Sequence, residues 1–197
     1  LIDLFLRTQE AHLASFLELY TPAQLSRGSS LEALFRAMNG SGVITDLGVI
    51  DRAGNHLAYA GPFQKELAGR NYSGADWFVE VMRTGRYVSD VFPGYRRVPH
   101  IVVAVADSRK EWILRATINS ELFHGLVASA NVGPGGDAFL VNLRGQLQTP
   151  SRHGRAAAEP EQRRQHHLVA RVHQAHDGVE DRLGRAARHR HLRLGID

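Results

Sequence analysis

The chain has 197 residues, enough for one domain or one and a half, with 43% hydrophobic, 22% charged and 8% aromatic residues, the balance of a globular protein and not of collagen, a coiled coil or a disordered chain. It has no cysteine, which excludes disulfides, Cys-ligated zinc, iron–sulfur clusters and thiol catalysis, and no apolar run approaches the ~18 residues of a membrane span. Residues 1–150 balance 14 basic against 14 acidic side chains, so the net charge of +4 belongs to residues 151–197, where 10 Arg face 6 acids; the basicity is no evidence that the body binds nucleic acid.

Residues 1–20 read as a helix. Ile2, Leu6, Leu13, Phe16, Leu17 and Tyr20 form one apolar stripe at helical spacing. Thr21-Pro22 interrupts it, and a second helix is predicted from Ser29, where Ser29-Ser30-Leu31-Glu32 fits a capping box. The period then changes. Residues 43–50 read as a strand, 51–55 as a tight reversal and 56–60 as a returning strand. Residues 75–83 read as a helix with Trp77, Phe78, Val81 and Met82 inward, closed by Gly85. Strands follow at 86–92, 100–106 and 112–118. The run 101–105 is apolar on both faces and belongs centrally in the sheet. Residues 120–130 read as a connecting helix, 132–136 as a turn, and 138–142 with 146–149 as a hairpin.

This order predicts an α+β, PAS-like module: a five-stranded antiparallel sheet, a long amino-terminal helix and a helix inserted between strands two and three. The expected organisation is a helical segment at 1–42, the module at 43–131, the truncated start of a second module at 132–152, and an atypical tail at 153–197. That tail is rich in Arg and His, shows neither helical nor strand period, and reads as a disordered terminus or an out-of-frame translation. The chain starts at Leu1 without a leader-like run, which reads as an excised fragment.

Residues 47–152 resemble the extracytoplasmic double-Cache sensor domains of bacterial receptors, particularly sensor histidine kinases. The likeness rests on ordered segments: 47–54, 59–63, Asn71-Tyr72, Trp77-Phe78, 85–92, Gly94-Tyr95-Arg96 followed by Pro99-His100, then 112–118, 136–142 and 145–149. The resemblance implies a small ligand held between the sheet of the first module and its inserted helix and loops, a periplasmic location, and a parent chain anchored in the membrane. Separately, a homodimer formed through the amino-terminal helix at residues 1–20 is expected.

The candidate ligand-binding residues are Tyr72, Trp77, Phe78, Tyr87, Ser89, Tyr95, Arg96, His100, Arg115 and Thr117. Trp77 and Phe78 would wall a ligand or serve as core aromatics. Adjacent Arg96 and Arg97 point in different directions, so one at most faces inward, and Arg96 lies within the matching segment. Arg115 stands in an apolar strand on the face of Ile113 and Thr117, and needs a partner there: a ligand anion, or Asp90 of a neighbouring strand. His100 opens a buried strand and reads as structural or as a ligand contact.

Related sensors of amino acids carry an Arg two residues before the Trp, a Tyr after it and a downstream Asp. Here Ala75, Phe78 and Asn119 stand in those places, so no amino-acid ligand is expected; the Arg-rich loop at 96–97 points instead to a small carboxylate or other anion. No nucleophile–base arrangement, phosphate loop or metal-ligand spacing occurs, the tail histidines included. No enzymatic activity, cofactor, metal or nucleic-acid partner is expected. The competing expectations are the sensor domain of a chemoreceptor or diguanylate cyclase, and a ligand-free PAS-like dimerisation module.

Overall fold

The apolar stripe at the amino terminus folds as helix α1 (Ile2–Leu19), which buries Leu6 and Leu13. The structure, a computed structural model, describes residues 2–40, 42–128, 137–142, 144–151 and 169–173. Thr21-Pro22 starts a short helix, α2 (Pro22–Leu25), instead of merely breaking one. Thr21 Oγ1 accepts from Gln24 N–H and Gln24 Oε1 accepts from Thr21 N–H, a reciprocal cap with Pro at the first position. The capping box expected at Ser29 does not form: α3 (Ser30–Met38) begins there without a side-chain cap.

Then come β1 (Ile44–Asp51), β2 (His56–Ala60), a single turn α4 (Gln64–Leu67) and α5 (Asp76–Thr84). Gly85 caps α5 in the left-handed region at φ 87°. The strand expected at 86–92 is shorter, β3 (Arg86–Val88), and 89–92 continues only as an irregular edge with a Phe92–His100 bridge. β4 (His100–Ala106) and β5 (Trp112–Asn119) complete an antiparallel sheet of order β2-β1-β5-β4-β3. Every residue of β4 is buried, as its unbroken apolar run predicts.

Register assigns the faces. One carries Asp46, Gly48 and Ile50 of β1, Ile113, Arg115 and Thr117 of β5, and Val102, Ala104 and Ala106 of β4. The aromatic residues Tyr72, Trp77 and Phe78, with Val81, pack on this face. α1 lies along β4 and β5, and α3 along β1 and β2. Residues Ile2–Ser120 form one compact unit, and the described residues from Glu121 onward belong to another.

The second unit contains α6 (Glu121–Ala128), which packs on β6 (Asp137–Val141), and β7 (Val169–His173), antiparallel to β6. The hairpin expected of 146–149 is reduced to a Val141–Leu147 bridge and flanking backbone bonds; the paired strand of β6 is β7. Residues 169–173 thus take strand structure within a tail that has no sequence period. The turn expected at 132–136 and the remainder of the tail, its other histidines included, lie outside the described residues. Among the described residues no helix is long and apolar enough to cross a membrane.

Candidate functional site

Two β-bulges build the site. Along β1, Ile44 pairs with Ile118 but Asp46 pairs with Thr117. The extra residue, Thr45, turns Asp46 onto the face of Arg115. Along β2, Ala58 pairs with Val49 but His56 pairs with Ile50, which leaves Leu57 unpaired. Without that bulge His56 and Tyr59 would face opposite sides of the sheet; with it their rings stand 5.8 Å apart.

The centre is an ion cluster. Asp46 Oδ1 accepts from Arg115 Nη2 at 2.8 Å and Asp46 Oδ2 accepts from Arg96 Nη1 at 2.8 Å. The side chains of Asp46, Arg115 and Arg96 are 0%, 4% and 5% exposed. One carboxylate therefore serves two guanidinium groups and leaves one positive charge unbalanced within low-dielectric surroundings. At Arg115 burial, the largest single influence, opposes the charge, but Asp46 together with Tyr72 and Tyr59 overcomes it and raises the pKa. At Arg96 burial wins and lowers it. Both groups stay protonated, as arginine does throughout the physiological range.

Aromatic rings enclose these cations. The Arg115 guanidinium lies 5.4 Å from the Tyr72 ring centre and 6.0 Å from that of Trp77, and Arg96 lies 4.7 Å from that of Phe63. Each is a cation–π contact in a dry setting. Tyr72 is held by the β1–β2 turn: its N–H donates to Gly54 O, while Asn71 Nδ2 donates to Ala53 O and Asn55 Oδ1. Tyr95 covers the group from outside, its ring 5.5 Å from Tyr72 and its hydroxyl donating to Asn71 O.

His56 and Tyr59 close the site along β2. Burial first, then the charge of Arg115, pushes His56 down to about 4, so the ring is neutral at pH 7. Burial and then Asp46 push the Tyr59 phenol well above its ordinary value. Three buried side-chain atoms here have no hydrogen-bond partner among the described residues: His56 Nε2, Arg115 Nε and Thr117 Oγ1. Such atoms are uncommon in folded interiors and each calls for an explanation.

Of the residues singled out in the sequence, Tyr72, Trp77, Tyr95, Arg96, Arg115 and Thr117 come together. Phe78 packs beside Trp77 within the apolar cluster, and Tyr87, opposite Ala104, borders it. Ser89 is taken up by backbone: its hydroxyl donates to Asp90 O and accepts from Val102 N–H. His100 bonds Val98 O through Nδ1 and stacks near Phe92. Arg97 is exposed. The partner of Arg115 is Asp46 and not Asp90. Asp46, Gly48, His56, Tyr59 and Phe63 went unread because bulges and loop geometry, not strand period, bring them here.

No protein-family model and no curated protein matches the sequence. Solved structures do. The extracellular domain of the putative histidine kinase rpHK1S-Z16 matches 72% of this chain and 61% of its own at TM-score 0.52 and 17% identity. This is the fold of a Cache-type sensor domain. The ligand-binding domain of the Pseudomonas fluorescens chemoreceptor CtaA, in complex with L-leucine, shares it over 76% of this chain and 63% of its own, at TM-score 0.59 and 12% identity. An extracellular ligand binding receptor from Desulfohalobium retbaense shares it at TM-score 0.54 and 18% identity; there this chain spans 32% of the neighbour, with 79% of its own length matched. At these identities the likeness is one of fold.

Proposed function

We propose that the chain is the extracytoplasmic ligand-binding part of a bacterial transmembrane receptor of the sensor histidine kinase type, and that the face between β1, β5 and α5 binds a small organic anion. The observation that carries this is the buried Arg96–Asp46–Arg115 cluster, whose charge is unbalanced by one. A stability role alone accounts poorly for it, because an apolar triplet in the same place would cost less to bury. The sensor fold supports the reading. So do the walls of Tyr72, Trp77 and Phe63, since small-molecule sites combine apolar surface with a few convergent polar groups.

The role is binding and signalling, not catalysis. A ligand that prefers one arrangement of the sheet and its helices shifts the receptor between two states by its difference in affinity for them. α1, which lies against β4 and β5, is the element that passes this shift onward, with a homodimer formed along it. The chemoreceptors among the structural neighbours favour a second reading of the output: the same binding domain on a chemotaxis receptor. Calorimetric titration with a panel of mono- and dicarboxylates tests the proposal. Saturable binding of at least one acid is expected, and silence across the panel overturns it.

A further inference from the structure

Arg115 is half paired along one edge of its guanidinium. Nη2 donates to Asp46 Oδ1 at 2.8 Å, and Nη1 lies 3.4 Å from the Tyr72 hydroxyl. Nε, which shares an edge with Nη2, is buried without a partner among the described residues. A carboxylate commonly takes such an edge with both oxygens, in two parallel bonds. Asp46 does not, because its Oδ2 is held 2.8 Å from Arg96 Nη1. Two arginines thus compete for one carboxylate, and the orphaned Nε is the bond that Arg96 takes away.

Arg96 is carried by a lightly tied segment. Residues 93–99 leave the sheet at the Phe92–His100 bridge, whose two backbone bonds close their base. Among the described residues the one backbone–backbone bond made between 93 and 99 is internal, Arg97 N–H to Gly94 O at 3.3 Å. At the far end the carbonyls of Val98 and Pro99 bond the side chains of His100 and Ser120. The middle is held down by two side chains: Tyr95 on Asn71 O and the Tyr72 ring, and Arg96 on Asp46 and the Phe63 ring. Gly94 and Arg97 stand at φ 52° and 56°, a strained backbone for Arg97. Few backbone bonds and local strain favour local opening.

We infer that segment 93–99 is a flap latched by Arg96. Closed, Arg96 holds Asp46. Open, Asp46 turns both oxygens to Nη2 and Nε of Arg115, and Arg96 exchanges the carboxylate of Asp46 for that of the ligand, in the space that its own side chain and Tyr95 vacate. This rests on the proposed anion-binding role and adds how the acid gains entry. The closed cluster carries one unbalanced positive charge; the open one, with the acid on Arg96, carries none. An acid that binds the open arrangement draws the population toward it by its difference in affinity.

The test follows the Arg115 Nε–H by proton–nitrogen NMR of the whole chain, assigned by through-bond correlation. In Arg96→Met this signal should move downfield, as a newly bonded proton does. A saturating acid should move it the same way in the unaltered chain, with acetate, pyruvate, succinate and malate as the probes. In parallel, trypsin cleavage after the exposed Arg97, identified by mass spectrometry, should speed several-fold with the same acid. An acid that binds by calorimetry but leaves either readout unchanged would overturn the latch and leave the anion-binding role standing. Failure of every acid to bind would overturn both. The acid-driven readouts need only the unaltered chain, so they decide the matter even if Arg96→Met does not fold.

Discussion

Asp46 is the residue on which the site depends. It is 0% exposed and bonded to two guanidinium groups, so its neutralisation leaves two buried cations facing each other. Asp46→Asn is expected to lower stability by about 3–5 kcal/mol, the usual cost of breaking a buried ion pair from one side. Arg86→Met, which removes an exposed pair with Glu10 at 3.2 Å, should cost under about 1 kcal/mol. Urea unfolding of both variants measures the contrast, and similar losses would refute the placement of Asp46. At this scale the sequence was partly readable. Arg115 announced its need of a partner because a charge in the run 112–118 has no solvent to face. The partner was hidden, because Asp46 follows Ile44 at strand spacing and only the bulge at Thr45 separates their faces.

Gly61 shows how an element supports the cluster. It ends β2 at φ 148°, and a Cβ there would stand 2.5 Å from Asp46 Cβ and 3.0 Å from Thr45 O. The chain can leave β2 against the bulge of β1 only where no side chain intervenes. Gly61→Ala should therefore destabilise by at least about 1–3 kcal/mol from backbone strain alone, and should weaken anion binding as well by displacing Asp46. Thermal unfolding with a parallel titration separates the two effects. A variant of unchanged stability and affinity would show that the close approach does not matter. Helices α1, α3 and α5 and the strands β1, β2, β4 and β5 were legible because hydrophobic period reports which face is buried. The bulges, the turn α4 and the shortening of β3 were not. The bulges are set by strand pairing between segments distant in sequence, as where Asp46 of β1 meets Thr117 of β5, and such pairing leaves no hydrophobic period to read.

For the whole molecule, the buried histidines couple stability to pH. Burial is the first cause at both His56 and His100, and both are pushed down to about 4, against an ordinary value near 6.5 in the unfolded chain. Between those values the unfolded chain binds more protons than the folded one, so stability rises with pH through the window. It is complete above about pH 6.5 and is lost progressively as pH falls toward 4. The urea midpoint should drop between pH 7 and pH 4.5, and less steeply in a His56→Gln, His100→Asn double variant. A midpoint that is flat across this range would contradict the neutral, desolvated placement of the two rings.

The account as a whole turns on whether the two-arginine cluster serves a molecule from outside. The most direct measurement is calorimetry of the unaltered chain and of Arg115→Met side by side, with the same carboxylate, under conditions where circular dichroism shows both folded. Saturable binding by the first and at least a tenfold weaker response from the second is the predicted result. Equal binding by the two, or none by the unaltered chain, would mean that Arg96, Asp46 and Arg115 hold only each other.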